Sequence, residues 1–513
     1  MQVTPAPHAP HAVVIGAGIA GLAVAGRLRA AGYAVTLLER HARVGGKIRT
    51  VGSAAGPIDA GPTVLTMRHV FDDLFAVMGA RLDDHVKLFR QEVLARHFWP
   101  DGSTLDLTVD EARNTDNIRA FAGVRAAIQF QRFSQRARDL FAAFDHPMMQ
   151  AADPQITHLT ATVLRHPGLI PAMAPLSTLK SALARAFDDP RLRQLFGRYA
   201  TYVGGSPTHA PALLSLIWQA EAAGVWVVDG GMHRLTEALA ALLRDRAVEI
   251  VTEAHVARVD VQSGRARAVV LEDGTRFACD VLVHAGDPRA LATGALGPSV
   301  AAAAHATLKT KRSFSARVLS FAATPSRDDL VHHNVFFQSN PDTEFRDLMA
   351  GRVPAHPSFY ICALDRGQGR APPPVERFEI ITNAPATADT TPPKDLETWL
   401  HQITHQMAQF GMTFSPTPTT PTVTTPQAFG RMFPESLGAL YGQSPHGMTA
   451  ALKRPRARTH IPNLYLAGGG THPGAGVPMA TLSARHAVEA ILNDQTSTLR
   501  LARTAMPGGM STG

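Results

Sequence analysis

The run HAVVIGAGIAGLAVAGRLRAAGYAVTLLER at residues 11–40 constrains this chain more than any other feature. His11 to Ile15 is short, apolar and β-branched and ends at Gly16; Gly18 to Ala30 then carries the periodicity of a helix, and Ala34 to Leu38 reads as a second strand. Strand, tight turn, helix and strand in this register open a Rossmann-like parallel sheet that grips a dinucleotide. Gly16 permits the reversal and Gly18 lets backbone N–H groups, with Ala17 and Ala20 beside them, approach a pyrophosphate, while Gly21 lets helix and strand pack closely. The helix N-terminus turns partial positive charge toward the phosphates. Glu39, at the end of the second strand and followed by Arg40, is placed to accept hydrogen bonds from a ribose, and an acid there disfavours a 2′-phosphate. These residues do not separate a nicotinamide from a flavin dinucleotide.

At 513 residues the chain is too long for one simple core, so two domains are expected. A formal charge of +8 fits a nucleic acid or an anionic membrane surface. With six tyrosines, four tryptophans and no basic block interleaved with stacking aromatics, a nucleic-acid partner is not expected. Two cysteines, Cys279 and Cys362, make neither a disulfide framework nor a metal cluster, so no metal is expected and a reducing cytosolic setting is. MQVTPAPHAP is not read as a signal peptide.

Tyr199 to Ala220 lacks Asp, Glu, Lys and Arg, but Gly204, Gly205, Pro207 and Pro211 interrupt it; it reads as buried or interfacial rather than spanning. His166 to Leu179 is apolar and proline-broken, which suits a membrane-dipping loop and a buried connection equally. Residues 115–145 read as helical, with Arg125, Arg132 and Arg136 on one solvated face that could also meet anionic lipid. Val248 to His284 changes to short alternating strands with turns at Ser263–Gly264 and Asp273–Gly274, a β-meander returning to a strand that ends at Ala285 and Gly286. Residues 415–426 read as a Pro/Thr-rich surface loop, and disorder is expected after Asn493. NLYLAGGGTHPGAGVPMATL, residues 463–482, repeats the physics of the N-terminus: an apolar strand, a glycine run, and a helix starting near Pro478 whose N-terminus favours negative charge.

RVGGK (Arg43 to Lys47), VWVVDGGMHRL (Val225 to Leu235), RMFPESLGALYG (Arg431 to Gly442) and NLYLAGGGTHPGAGVPM together resemble the bacterial carotenoid (phytoene-type) desaturases of the flavin amine-oxidase superfamily, over about residues 11 to 495. DAGPTVLTMRHVFDDLF (from Asp59) and LARHFWPDGSTLDL (from Leu94) are most similar to the 1-hydroxycarotenoid 3,4-desaturase (hydroxyneurosporene) branch of photosynthetic purple bacteria. The resemblance implies FAD and an α/β, two-domain (α+β) fold: a Rossmann-like FAD-binding domain of the amine-oxidase/phytoene-desaturase type with a discontinuous substrate domain. FAD-binding parts would be 11–75, 225–290 and 456–495, substrate or membrane-associated parts 76–224 and 291–455, and 496–513 a flexible tail.

By the same resemblance Gly45, Gly46 and the cation of Lys47 approach the dinucleotide, the backbone near Val256 meets the adenine, and Gly61, Pro62, Thr63, Asp287, Gly469, Gly470, Thr471 and Val477 lie beside the cofactor. His472 is the only candidate for chemistry, and no base is named. The glycines at 468–470 stand where many amine oxidases place an acid, which argues against amine oxidation, as does the lack of an identifiable aromatic pair.

The implied reaction removes a hydride from an allylic carbon, leaving a cation spread over the polyene. Implied partners are a lipophilic carotenoid, the cytoplasmic surface of the inner photosynthetic membrane, and oxygen or a quinone as electron acceptor. A phytoene desaturase, a flavin-dependent carotene isomerase and a non-catalytic lipid-binding module of the Rab GDP-dissociation inhibitor type are the alternatives.

Overall fold

The computed structural model describes residues 9–155, 157, 163–165, 168–386, 396–419 and 422–504, with only the backbone for 497–504. The opening residues 1–8, His166, Pro167 and the end of the tail from 505 lie outside the described residues.

Strand β1 (His11–Ile15), helix α1 (Ile19–Ala30) and strand β2 (Ala34–Leu38) fall where the apolar periodicity puts them. With β3 (Glu249–Val251), β4 (Val281–His284) and β5 (Leu464–Leu466) they build a five-stranded parallel sheet in the order β5-β4-β1-β2-β3. Three distant stretches of chain therefore make one sheet. It is covered on both faces, as parallel sheets are. Ala12 and Val14 of β1 pack with α1 and with helix α3 (Val477–Thr504), whereas Val13 packs under the antiparallel meander Val256–Gln262, Arg265–Leu271 and Arg276–Ala278.

This core is larger than the sequence division implies. Leu82 and Val86 share it with Val14, and Leu291, Leu296 and Val300 pack against the meander, so its natural edges lie beyond residues 75 and 290. Composition does not change at either point, which is why the edges cannot be read locally. A second difference lies at the end: α3 continues to Thr504 instead of stopping near Asn493. Nothing between Pro478 and Pro507 forbids helix, and an established helix propagates cheaply.

The second layer is a mixed sheet. Its order is Phe414–Ser415, Ser315–Pro325, Glu376–Ala384, Phe359–Ala363, His333–Phe336, Val93–Phe98 and Thr104–Thr108, and Val423–Thr424 also pairs with Ser315–Pro325. The Pro/Thr-rich stretch is a surface loop whose two ends are pinned to the sheet edge. One face of this sheet buries Leu319, Phe336, Phe359, Phe378 and Ile380 against Trp399 and Ile403 of the helix Leu396–Gln409. The other face looks into the interior.

A helical layer closes that interior. Helix α2 (Glu111–Phe144) is capped by the Asp110 carboxylate, which accepts the N–H groups of Ala112 and Arg113, and it breaks at Gly123, where φ is 89°. Phe130 and Phe133 of α2 pack with Phe187, Phe196 and Trp218 in a fully buried aromatic cluster. The three arginines of α2 do not behave alike. Arg125 is exposed and pairs with Asp188, while Arg136 turns inward and donates Nε–H to the Ala172 carbonyl at 2.5 Å. Among the described residues no helix is long and apolar enough to cross a membrane.

Candidate functional site

One cavity of about 1290 Å³ runs between the two sheets, and nearly every glycine-rich motif opens onto it. The first turn and the RVGGK loop meet directly: Gly45 N–H donates to the Ala17 carbonyl at 2.8 Å, and Gly18 forms a bridge with Gly45. A Cβ at Gly46 would stand 3.0 Å from the Gly18 Cα, and one at Gly61 would stand 2.0 Å from the Lys47 carbonyl oxygen. From the C-terminal end, a Cβ at Gly442 would stand 3.1 Å from the Gly470 Cα. Bare backbone from five separate motifs thus lines one cradle.

Gly16, Gly18, Ala20, Glu39, Arg40, Gly45, Gly46, Lys47, Gly61, Pro62, Thr63, Val256, Asp287, Gly469, Gly470 and Val477 all line this cavity. Ala17 and Gly21 stand behind the wall. Ala17 donates its N–H to Glu39 Oε2 at 2.8 Å, while His41 N–H donates to Oε1 at 2.9 Å, so the Glu39 carboxylate clamps the turn from below. A Cβ on Gly21 would stand 1.8 Å from the Gly16 carbonyl oxygen, the close helix–turn packing expected of that position.

Two further residues do not reach the cavity. Thr471 is buried and its hydroxyl donates to the Gly468 carbonyl, which closes the turn. His472 is corrected as a candidate for chemistry: its Nε2 meets the Ala151 carbonyl at 3.0 Å and its ring stacks on His486 at 5.5 Å, on the far side of the turn. Burial holds its pKa below the ordinary histidine value. A turn this tight points successive side chains in opposite directions, which a motif string cannot convey.

The cradle has a charged end. Lys47 Nζ donates to the Leu440 carbonyl at 2.6 Å, and burial lowers its pKa to about 8, with Asp287 pulling it back up and Arg312 and Arg454 pushing it further down. Arg312 pairs with Asp287. Arg454 donates to the carbonyls of Gly469 (2.9 Å), Tyr441 (3.1 Å) and Gln443 (3.1 Å), and burial brings it down to about 10. Three cations against one acid suit an anionic ligand. Arg454 was missed because nothing local distinguishes it among the basic residues of KRPRARTH.

Past the cradle the walls become largely apolar. Val318, Ile381, Tyr360 and Val335 form one cross-strand row facing the cavity, opposite Leu213, Leu214, Leu216 and Ile217. The stretch 199–220 is therefore cavity wall, folded as short helical turns, not an outer surface. Val163, Leu164 and Met173 line one end of the cavity, and the exposure of Leu164 marks this end as a mouth. Around that mouth Leu164, Ile170 and Leu176 are 73%, 46% and 91% exposed, whereas Leu169 is buried.

Polar clusters interrupt the apolar wall, among them two built around tyrosines. Arg198 Nη1 donates to the Tyr202 hydroxyl at 2.7 Å, Tyr202 donates to Glu221 Oε2 at 2.8 Å, and Arg198 Nη2 lies 3.4 Å from Glu221 Oε1. Thr63 Oγ1 lies 2.8 Å from the Tyr360 hydroxyl, which lies 2.6 Å from His333 Nδ1.

A family model described as flavin containing amine oxidoreductase matches residues 19–492. The chain belongs to that family. Its cofactor is FAD, and the enzyme is a flavin oxidoreductase. Among its curated relatives, a hydroxyneurosporene desaturase of Cereibacter sphaeroides is 51% identical over 96% of this chain and 99% of its own length. A hydroxyneurosporene desaturase of Rhodobacter capsulatus is 47% identical over 94% of this chain and 98% of its own. A solved putrescine oxidase variant shares the fold at 16% identity, with a TM-score of 0.62 over 94% of this chain and 99% of that one.

Beside that apolar row, on the same face of the sheet of this flavin oxidoreductase, lies a second cross-strand row, Ser320, Glu379, Cys362 and His333. Cys362 Sγ meets His332 Nε2 at 3.3 Å, and together with His333 these three buried side chains bring ligand-type atoms within 4.8 Å of one another. No ion is present there. Both Glu379 oxygens are buried without a partner, and burial, reinforced by Asp59 and only partly offset by Arg49, pushes the carboxyl well above its ordinary range. A carboxyl raised in the fold contributes most stability below the ordinary carboxyl pKa and loses it as pH climbs toward the folded value. Glu379→Gln, neutral at every pH, is expected to melt above the wild type at pH 8, with the gap closing toward pH 4. Parallel melting curves across that range would contradict a neutral buried Glu379.

Proposed function

We propose that this flavin oxidoreductase desaturates an acyclic hydroxylated carotenoid of the 1-hydroxyneurosporene type at its 3,4-bond, as a step in carotenoid biosynthesis. The observation that carries the reading is the single cavity joining the glycine cradle to an apolar mouth, a shape for a long oily chain rather than a small amine. FAD supplies a hydride acceptor when bound in the cradle of Gly16, Gly18, Gly45, Gly46, Gly61, Gly469 and Gly470, with Glu39 and Val256 at the adenosine end and Lys47 and Arg454 beside its anionic parts.

The chain's own residues exclude water and orient the polyene. The apolar row from Val318 to Val335 removes the reacting bond from solvent, where positioning contributes much of the rate. The Arg198–Glu221 pair offers no net charge to a polyene cation. No side chain is needed as a strong base, because loss of hydride makes the neighbouring proton acidic. The division into three cofactor-binding and two substrate-binding segments belongs to the same reading, supported by the three-part parallel sheet.

The substrate lives in a bilayer, so entry requires docking. We place the mouth, with Leu164, Ile170 and Leu176, against the cytoplasmic face of the inner photosynthetic membrane, and a quinone or oxygen as the final electron acceptor. Burying three such side chains contributes roughly 1.5–3 kcal/mol each at full immersion. In liposomes carrying 1-hydroxyneurosporene, the wild type should float with the vesicles and lengthen the chromophore. The triple variant Leu164→Ser, Ile170→Ser, Leu176→Ser should stay largely in the soluble fraction with its FAD content intact. Equal flotation of both would rule out this face as the docking surface.

A further inference from the structure

We propose that the Thr63 hydroxyl, oriented by Tyr360 and His333, is the hydrogen-bond donor that holds the hydroxyl group of the substrate and so selects the hydroxylated end. The proposal rests on the function proposed above. It begins from the direction of the hydrogen bonds. His333 is buried, its Nδ1 faces the Tyr360 hydroxyl at 2.6 Å, and its Nε2 has no partner. A proton on Nε2 would be a buried donor without an acceptor, which native structures avoid. The proton therefore belongs on Nδ1, where it is donated to the Tyr360 oxygen. Tyr360, with its own single proton, then donates to Thr63 Oγ1 at 2.8 Å.

Thr63 is left with a proton to give. Beside it, and beside Tyr360, stands the sulfur of Cys362, a weak acceptor that competes poorly with an oxygen. Burial holds His333 well below the ordinary histidine pKa and Tyr360 well above the ordinary tyrosine pKa, so the chain keeps one direction at any working pH. Thr63 and Tyr360 both line the cavity. Two other polar clusters facing it are closed on themselves: Arg198, Tyr202 and Glu221 bond one another, and Asn383 donates to Glu344, which also accepts the Ser358 N–H.

Position decides what accepts that proton. In a 1-hydroxycarotenoid the oxidised 3,4-bond begins two carbons from the carbon bearing the hydroxyl. The hydroxyl must then rest next to the reacting centre, not at the distant mouth. Thr63 is at that end: it follows Gly61, whose Cβ position abuts the Lys47 carbonyl in the cradle. A site built to hydrogen-bond a hydroxyl also rejects an analogue lacking it, because the donor is then buried unmet.

The test compares 1-hydroxyneurosporene with neurosporene in liposomes for the wild type, Thr63→Val and Tyr360→Phe. Both variants should lose about ten- to a hundred-fold in kcat/KM on the hydroxylated substrate, Thr63→Val should at the same time gain on neurosporene because the unmet donor is gone, and both should retain FAD with an unshifted absorption spectrum. Binding of the desaturated hydroxylated product, followed by fluorescence quenching, should weaken by a similar factor. Equal losses on both substrates with a shifted flavin spectrum would assign Thr63 to the cofactor and overturn the proposal. Unchanged selectivity and unchanged product affinity would overturn it as well. A wild type that converts neither carotenoid would refute the proposed function, while product binding would still decide the role of Thr63.

Discussion

Gly21→Val is expected to yield a colourless protein. The Cβ of any residue at this position stands 1.8 Å from the Gly16 carbonyl oxygen, so helix α1 must move away from the turn that carries Gly16 and Gly18. That turn is held by Gly16 N–H donating to the Leu38 carbonyl at 2.7 Å and by Glu39 beneath Ala17. Neither bond survives a displacement of the helix. The backbone there is contact surface for a pyrophosphate, and a shift of about 1 Å removes most of that contact. Purified Gly21→Val should carry less than a tenth of the wild-type FAD per chain and melt at a lower temperature. A yellow variant with one FAD per chain would show that the turn tolerates the shift and that the cofactor is gripped elsewhere.

Glu221→Gln is the second large effect. Glu221 and Arg198 are 3% and 11% exposed, and the acid is what makes a buried guanidinium tolerable inside an apolar wall. Burial alone would push Arg198 down; Tyr202 and Glu221 outweigh it and hold the group above its ordinary value. Removing one partner of a buried pair costs roughly 3–5 kcal/mol, far more than an exposed pair is worth. The loss should appear as a large drop in denaturant midpoint. It should also appear in rate, because an unbalanced cation beside the polyene opposes the positive charge that builds there as hydride leaves. Adding Arg198→Met should recover much of the stability, since the orphaned charge goes with it. A single variant as stable as the wild type would mean that water reaches Arg198.

These outcomes depend on features that differ in how far the sequence reveals them. The dinucleotide half is written locally: strand, turn and helix follow from residues a few positions apart, and β1 and β2 end at Ile15 and Leu38 as the apolar runs do. The meander, with turns at Gly264 and Gly274, is equally local. What brings the site together is not. Thr63 and Tyr360 are 297 residues apart, and Arg454 reaches the glycine turn through three carbonyls that no periodicity marks.

Direction is the second thing a sequence hides. His472 sits inside the right turn and points out of it, and Met173, in a stretch that reads equally as a membrane-dipping loop and as a buried connection, lines the cavity while Ile170 nearby faces outward. The helix that runs on to Thr504 shows the opposite failure, where polar composition suggested disorder and unbroken helix-compatible sequence prevailed.

Under the proposed function, electrons pass from a carotenoid C–C bond to the flavin inside this cavity. The most direct test is an anaerobic single turnover: FAD-loaded protein mixed with liposomes carrying 1-hydroxyneurosporene, with no other acceptor present. The flavin absorption band should bleach as the longer chromophore appears, one desaturated product per flavin reduced. A rearranged carotenoid formed while the flavin stays oxidised, or a flavin that never bleaches, would contradict it.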